Sequence, residues 1–373
     1  MLERLGRIRD AHGAGVALGP LRVALGGMLL WQSLDAAHEL TRLGYFGDHF
    51  HWPYLPEALV PSHAAYVAIV ATRVCLAIMV LVGFACRPAL TASGALGLYV
   101  LLCDRLQFHH NRYSLALFAV LVGLTPCDVS FRVVDGGGPP LPRTGPLWAV
   151  RLAQVQVSII YLASGGSKLL DPAWRGGAVL ADRIARHAHI AVAKGVPAWL
   201  VDYLARPASA SALSKAAILT ELALAFALWS RRMRVAALWW GVWFHVVIQL
   251  TTKVEVFSFL TVAMYAVFVT PDERTRQLRF DPTTALGQVI GLASRWLDWF
   301  ARFDAKPWEP DDIEGAHAFV IVRRDGTRVT GLRAAATLTR CVPILFPLWA
   351  PLSLVAAFTR KGELSPTRDA ASE

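Results

Sequence analysis

The sequence predicts an all-α polytopic membrane bundle of about eight transmembrane helices, followed by a small cytoplasmic α/β module. Three observations predict this fold class. Of the 373 residues, 55% are hydrophobic and only 17% are charged, whereas soluble proteins carry about a quarter charged residues. Several apolar runs of about 17 to 22 residues are long enough to cross a bilayer as helices. After residue 271 the pattern changes to short alternating and amphipathic segments.

The domains are expected at 1–272 and 273–373. The predicted spans are 15–34, 64–86, 88–104, 112–127, 147–169, 212–230, 235–252 and 254–270.

Arginine-rich connections predict the orientation in the membrane. The segments "MLERLGRIRD", "CRP", "SRRMR" and "DERTRQLR" fall on one side of these spans. The positive-inside rule makes that side cytoplasmic. We therefore expect an integral protein of the cell (inner) membrane with both termini in the cytoplasm.

The net charge of +10 is not read as a nucleic-acid signal. The arginines stand in short clusters beside apolar runs, which is typical of topology signals and lipid head-group contacts. The expected partner is the lipid bilayer, and no nucleic acid is expected.

The fifth predicted span carries a polar stripe. Its members recur every three or four residues and therefore share one helix face: Arg151, Gln154, Ser158, Tyr161, Gly165 and Lys168. Lipid cannot satisfy polar groups, so the stripe should face the bundle interior. Lys168, at the outer end, is either an amine held inside or a flanking charge that extends to the head groups.

Further polar groups occur in the other spans and their outer connections: Arg73, His109, His110, Asn111, Tyr113, Glu221, His245 and Gln249. Arg73 and Glu221, both near mid-membrane, are interpreted as structural charges that could form an ion pair. His245 is either a site residue or a packing residue, and His109 and His110 could be exposed at the interface. No metal is expected, because a third ligand at suitable spacing is missing.

The chemistry depends on Lys168. In general, a lysine amine that is poorly hydrated can be neutral near pH 7 and act as a base. Such a base could deprotonate a weakly acidic, lipid-soluble substrate such as a hydroquinone.

The segment "YLASGGSKLLDPAWRGG" resembles the signature of the vitamin K-dependent gamma-carboxylase family and its bacterial relatives with an HTTM domain. The matching residues are Tyr161, Gly165, Lys168, Leu169, Trp174 and Gly177. The segments "FHHNRYSLALFAVLVGLTPCD" and "FHVVIQLTTKVEVFSFLTVAMY" are similar to further parts of that family. The resemblance covers about residues 15–270.

The resemblance implies a quinol-dependent carboxylase of the carbon–carbon lyase or oxygenase type, with reduced vitamin K or a related quinol as cofactor. Lys168 would be the base, with His110 and His245 as further catalytic residues. Substrate or cofactor would be bound by Tyr161, Asn111, Tyr113, Gln249 and Trp174. The substrate would be a peptide or small molecule on the extracytoplasmic side.

Two departures from the family pattern stand out. The order His109-His110-Asn111 differs from the family turn, in which a histidine follows asparagines, and this assigns the histidine role to His110. The large extracytoplasmic domain of the carboxylases has no counterpart, because the longest outer loop is 170–211. The alternative is a non-enzymatic membrane scaffold, or an export or immunity partner, with the same fold.

The C-terminal module resembles the DCC-type thiol-disulfide oxidoreductase-like family, which implies a thioredoxin-like fold. The resemblance rests on "LRFDPTTALGQVIGLASRWLDW" and the segment from His317 to Leu352. Thr284 and Gly287 fill the two cysteine positions, so disulfide exchange is excluded there. The module would be degenerate, with a structural or partner-binding role.

Within the module, "FVIVRRDGTRVTG" predicts a hairpin with a type I′ turn at Asp325-Gly326. The apolar segment 341–358 is either a ninth span or a helix and loop that pack on the module or lie on the membrane.

Overall fold

The computed structural model describes residues 12–43, 50–106, 108–133, 144–252, 254, 256–269, 275–308, 318–358 and 363–364. The chain divides into two compact units, Met1–Pro271 and Asp272–Glu373. The N-terminal arginine-rich segment and the C-terminal tail, which bear on the topology prediction, lie outside the described residues.

The first unit is built almost entirely of helices. In chain order they are α1 (Leu18–Leu43), α2 (His63–Val82), α3 (Cys86–Cys103), α4 (His110–Gly123), α5 (Trp148–Leu170), α6 (Pro172–Arg175), α7 (Ala178–Arg186), α8 (Ala188–Ala193), α9 (Ala198–Ala205), α10 (Pro207–Ala227), α11 (Arg234–Thr251), α12 (Phe257–Met264) and α13 (Ala266–Val269). Two short strands, β1 (His12–Ala14) and β2 (Thr144–Pro146), pair antiparallel.

Three of the described helices are long and apolar enough to cross a membrane: α2, α3 and α10. Helices also cover the other predicted spans, but by length and composition they do not meet the same criterion. Helix α5, with 23 residues, has the length; its polar stripe lowers its mean hydropathy. Apolar helices that could span a membrane are thus present, and the count of eight stays a prediction.

Local sequence signals explain where α2 begins and ends. The hydroxyl of Ser62 accepts a hydrogen bond from the Ala65 amide, which caps the first turn. Gly83 follows the last turn with φ of +82°, the left-handed conformation that glycine adopts without strain.

A buried arginine links α1 to the end of α2. Arg22 is fully buried and donates to the carbonyl oxygens of Val80, Ser130 (3.2 Å) and Phe131 (2.6 Å). Carbonyls in the last turn of a helix lack intrahelical partners, and a cation there is favourable. The guanidinium therefore fastens α1 to α2 and to the segment that follows α4.

The second unit contains a five-stranded mixed sheet in the order β4-β3-β5-β6-β7. The strands are β3 (Arg276–Phe280), β4 (Phe303–Pro307), β5 (Phe319–Val322), β6 (Arg328–Val329) and β7 (Glu363–Leu364). Strands β3 and β4 are parallel and joined through α14 (Ala285–Leu297); the other pairs are antiparallel. Leu278, Ile321 and Val329 of the sheet form the core with residues of α15 (Gly331–Cys341).

The predicted hairpin is confirmed, but its turn type is wrong. Strands β5 and β6 pair antiparallel, with Ile321 opposite Val329. Arg323 donates from its amide to the Thr327 carbonyl (2.8 Å), so the loop has three residues, and only Gly326 has positive φ (+79°). A type I′ turn needs two such residues, whereas a three-residue loop places one glycine in the left-handed region.

The apolar segment after α15 forms a 3-10 helix at Pro343–Leu348 and then α16 (Trp349–Phe358), which packs against α15. The stretch Pro343–Phe358 is a shorter apolar helix than the three candidate spans. Its packing on its own module favours the interpretation without a ninth span.

Candidate functional site

The polar stripe of α5 faces the interior of the first unit, as its spacing predicts. Gln154, Ser158 and Tyr161 are buried. Each has a partner on another segment: the Gln154 side-chain amide donates to the Val267 carbonyl (2.7 Å), and the Ser158 hydroxyl donates to the Ala225 carbonyl (3.0 Å). The stripe therefore makes the helix-to-helix contacts that lipid could not supply.

Lys168 points inward from the end of this stripe. Its amine donates to both carboxylate oxygens of Glu221 (2.7 Å each) and to the hydroxyl of Ser164 (2.5 Å). The side chains of Lys168 and Glu221 are 17% and 9% exposed. Of the two orientations considered for this amine, the structure has the inward one, with all three ammonium donors engaged.

The suggested ion pair between Arg73 and Glu221 is wrong. Arg73 donates to the side-chain oxygen of Gln32 (2.8 Å), and Glu221 pairs with Lys168. The reason is helix order: α2, which carries Arg73, packs on α1, whereas α10, which carries Glu221, packs on α5. The sequence indicates how deep in the membrane a residue of a span lies, but it does not indicate which helix packs beside that residue.

Trp174 lies directly against the amine. Its ring centroid is 5.3 Å from the Lys168 Nζ, and Arg183 lies over the same ring at 5.1 Å. The short helix α6 positions the ring, and the Asp171 carboxylate caps α6 through the Ala173 amide (2.8 Å). The indole thus covers the lysine through a cation–π contact.

A second buried cluster lies further along the stripe. The Tyr161 hydroxyl is 2.9 Å from Nε2 of His245 and 2.5 Å from the Tyr265 hydroxyl. All three side chains are buried. Tyr161 and Lys168 are seven residues apart, which is about 10 Å along the helix. The stripe therefore connects two polar clusters at different depths.

Tyr265 is a site residue that the sequence analysis missed. A signal existed in Gly241, which stands one turn before His245 on α11. A Cβ at Gly241 would overlap the Tyr265 ring and hydroxyl, so only glycine leaves room for that tyrosine. Such a glycine beside a buried histidine marks the close approach of another group.

Three predicted site residues have a buried polar atom without a hydrogen-bond partner among the described residues: His245 Nδ1, Asn111 Oδ1 and Gln249 Oε1. Buried polar atoms are normally paired, so each orphan needs an explanation such as a ligand. The Asn111 amide nitrogen donates to the Val254 carbonyl (3.3 Å), which fixes the side chain beside the chain that leads into α12.

The ring of Phe257 contacts both predicted catalytic histidines, His245 and His110. Phe257 lies edge-on to His245 (centroids 6.0 Å apart) and to His110 (5.9 Å), and His110 stacks on His109 (4.4 Å). His110 is exposed, whereas His245 is buried.

Tyr113 is not brought together with the other candidates. It is 39% exposed, and its ring packs near Phe108. Within the residues that the structure describes, no three His, Cys, Asp or Glu side chains are placed to hold a metal ion.

A protein-family model described as HTTM domain matches residues 11–272. This match covers both polar clusters and ends before the mixed sheet. No curated protein and no solved structure matches the chain. A family match over well more than half of the sequence establishes membership, and membrane location follows from it together with the apolar helices. The chain belongs to the HTTM domain family.

Proposed function

We propose that the chain is an eight-span, vitamin K-dependent gamma-carboxylase-like membrane enzyme that uses a lipid-soluble quinol and Lys168 as its base. The HTTM family includes proteins related to vitamin K-dependent carboxylases. The observation that carries the proposal is the inward Lys168 amine, bonded to Glu221 and Ser164 and covered by Trp174.

Unpaired polar atoms support a quinol as the cofactor. Among the described residues, Asn111 Oδ1 and Gln249 Oε1 are buried acceptors without donors, and a hydroquinone carries two hydroxyl donors. His245 Nδ1 is a third buried atom without a partner among these residues, and Phe257 offers an aromatic edge to both His245 and His110. Reduced vitamin K or a related quinol, when bound, would supply the electrons, and oxygen as the oxidant would accept them in the reaction that generates a strong base.

The ion pair gives Lys168 a route for its proton. The amine has three donors engaged, so it can accept a proton only after it has given one away. Glu221, 2.7 Å from Nζ, is the acceptor in contact with it. A buried ion pair is costly because both charges lose their hydration, and transfer of this proton would leave a neutral amine and a neutral acid. Ser164 then orients the amine.

Tyr161, Tyr265 and His245 would hold or move a second proton. Hydroxyl and imidazole groups at 2.5 and 2.9 Å can pass a proton along the chain of hydrogen bonds. His110, exposed at the other side of Phe257, would face the entering peptide or small-molecule substrate on the extracytoplasmic side.

Oxygen consumption by the purified full chain with a reduced naphthoquinone tests the proposal. We expect uptake by the wild type and its loss in Lys168→Ala. Lys215→Ala is the matched control, because Lys215 is exposed on α10, the helix that carries Glu221. Full uptake by a folded Lys168→Ala protein, or no uptake by the wild type, would contradict the enzymatic proposal.

One observation favours the non-enzymatic alternative, a scaffold or an export or immunity partner. Three side-chain contacts join α5 to α10 and the residues after it: Lys168 to Glu221, Ser158 to the Ala225 carbonyl, and the Trp229 indole to Ser158 (2.8 Å). In that case the polar stripe serves helix packing, and Lys168→Ala lowers stability with no activity to lose.

For the second unit we propose a degenerate thioredoxin-like module with a structural or partner-binding role. The parallel β3-α14-β4 unit, followed by the β5–β6 hairpin and α15, supports it. Thr284 caps α14 through the Gly287 amide (3.2 Å). A Cβ at Gly287 would overlap the Asp281 carbonyl oxygen, so that position leaves no room for a cysteine.

A further inference from the structure

The second unit has an open cleft of about 610 Å³ that is separate from the lysine site in the first unit. Helices α15 and α16 and the loop between β5 and β6 line it. Its charged lining residues are Arg276, Arg323, Arg324, Arg333, Arg340 and Asp325. Among the described lining residues five arginines stand against one carboxylate, so this part of the cleft carries a positive net charge.

The fold brings these arginines together from separate parts of the sequence. Arg333 and Arg340 are seven residues apart on α15 and therefore share one helix face. Arg276 begins β3, and Arg323 precedes the hairpin loop. Clustering like charges is unfavourable unless an opposite charge is present.

The one lining carboxylate is engaged elsewhere. Asp325 accepts from the Thr327 hydroxyl and from the Thr327 amide (3.0 Å), and these hydrogen bonds, with the nearby Arg323, lower its pKa. Within the described residues, Arg276, Arg323 and Arg340 form no ion pair, and the Asp298 carboxylate acts on Arg276 only through its electrostatic field. The Nη1 of Arg276 is buried and has no hydrogen-bond partner among these residues.

The positive charges affect one another. Partial desolvation, and then the charges of Arg276, Arg323 and Arg324, lower the pKa of Arg340. Burial, and then the charges of Arg324 and Arg340, lower the pKa of Arg302 to about 10. An anion in the cleft would relieve this repulsion and supply the missing acceptor for Arg276.

The shape of the donors and the apolar surroundings indicate which anion. Planar guanidinium groups match phosphate oxygens with paired hydrogen bonds. Trp349 lines the cleft, and α16, which carries it, exposes Leu354, Val355 and Phe358 on its other faces (63%, 51% and 82% exposed). Basic pockets beside apolar, membrane-facing surface are typical of phospholipid head-group sites.

We propose that this cleft binds a phosphate-bearing anion, namely the head group of an anionic phospholipid whose acyl chains lie along the exposed side of α16. The site is independent of the chemistry at Lys168. It gives the module, which lacks the paired cysteines of an oxidoreductase, a ligand of its own.

Calorimetric titration of the full chain, purified in an uncharged detergent, tests the proposal with dioctanoyl phosphatidylglycerol. The double variant Arg333→Gln/Arg340→Gln should bind at least about tenfold more weakly, because it loses two charge-assisted contacts. The control Arg295→Gln removes the same kind of charge from the exposed face of α14, outside the cleft, and should bind like the wild type. Should the double variant fail to fold, Arg324→Gln, at the exposed loop, replaces it.

Two further titrations identify the source of the phosphate. Glycerol 1-phosphate, which lacks acyl chains, should bind more weakly than the lipid. The variant Leu354→Ser/Phe358→Ser should weaken lipid binding and leave glycerol 1-phosphate binding unchanged. Equal lipid affinity in the wild type and in all arginine variants would overturn the anion site. Glycerol 1-phosphate binding as tightly as the lipid would overturn the lipid assignment.

Discussion

At the scale of single residues, the Lys168–Glu221 pair separates the two functional proposals. Breaking a buried pair by removing one partner leaves an uncompensated charge and costs about 3 kcal/mol, whereas replacing both partners by apolar groups is often nearly neutral. We expect Lys168→Met and Glu221→Leu each to lower the free energy of unfolding by that amount. The double variant should recover most of the loss.

Thermal unfolding in detergent measures the stability part of this cycle, and oxygen uptake measures the functional part. A double variant that is stable but inactive indicates that the pair takes part in the chemistry. A double variant with the stability and the uptake of the wild type would contradict the role of Lys168 as a base.

The hydroxyl of Tyr265 allows a milder test of the second cluster. Tyr265→Phe removes the bond of 2.5 Å to Tyr161 but leaves the Tyr161–His245 bond in place. We expect a loss of about 1 kcal/mol in unfolding free energy and a clear fall in oxygen uptake. Tyr203→Phe is the control, because Tyr203 is 51% exposed; equal uptake by both variants would contradict a proton-transfer role for this cluster.

At the scale of secondary-structure elements, two adjacent glycines on α5 provide a matched pair. A Cβ at Gly165 would lie 3.0 Å from Leu222 Cγ and 3.1 Å from Glu221 Cβ, whereas a Cβ at Gly166 would meet nothing within 4 Å. Gly165→Ala should therefore push α5 away from α10 and cost about 1 to 3 kcal/mol. Gly166→Ala should be neutral or stabilising by roughly 0.5 kcal/mol, because alanine favours a helix.

Thermal unfolding of the two glycine variants, measured side by side, checks this packing. Oxygen uptake should fall only in Gly165→Ala, because the shift displaces Glu221 from the Lys168 amine. Equal behaviour of the two variants would contradict the close approach of α5 and α10.

The same elements show what sequence alone can predict. The recurrence of polar residues every three or four positions sufficed to predict the inward face of α5, because helical geometry is local. Which helices pack together is not a local property. The sequence therefore predicts the wrong partner, Glu221, for Arg73. The turn type of the β5–β6 hairpin was predicted wrongly for a similar reason. The pair Asp325-Gly326 fits both a two-residue and a three-residue loop, and the register of the strands decides between them.

At the scale of the whole molecule, composition and apolar runs sufficed to predict a membrane protein, and the family match agrees with that. The lengths of the apolar runs predicted where the helices lie. One difference is α4, which begins at His110, a residue that was predicted to belong to the connection before the span 112–127. The basic cleft of the second unit was not predicted. Its five arginines come from strand, loop and helix, and only the folded sheet brings them to one place.

Topology is the remaining prediction at this scale. Arginine-rich connections on one side predict a cytoplasmic C-terminus, because positive charges near span ends resist translocation. A fluorescent reporter fused after Glu373 should therefore be bright, and an alkaline phosphatase at that position should be inactive. An insertion at Gly195, an exposed glycine between α8 and α9 with open space around it, should give the opposite pair of signals. Cytoplasmic signals at both positions would place 170–211 inside and Lys168 on the wrong side for an extracytoplasmic substrate. Extracytoplasmic signals at both positions would contradict the cytoplasmic C-terminus.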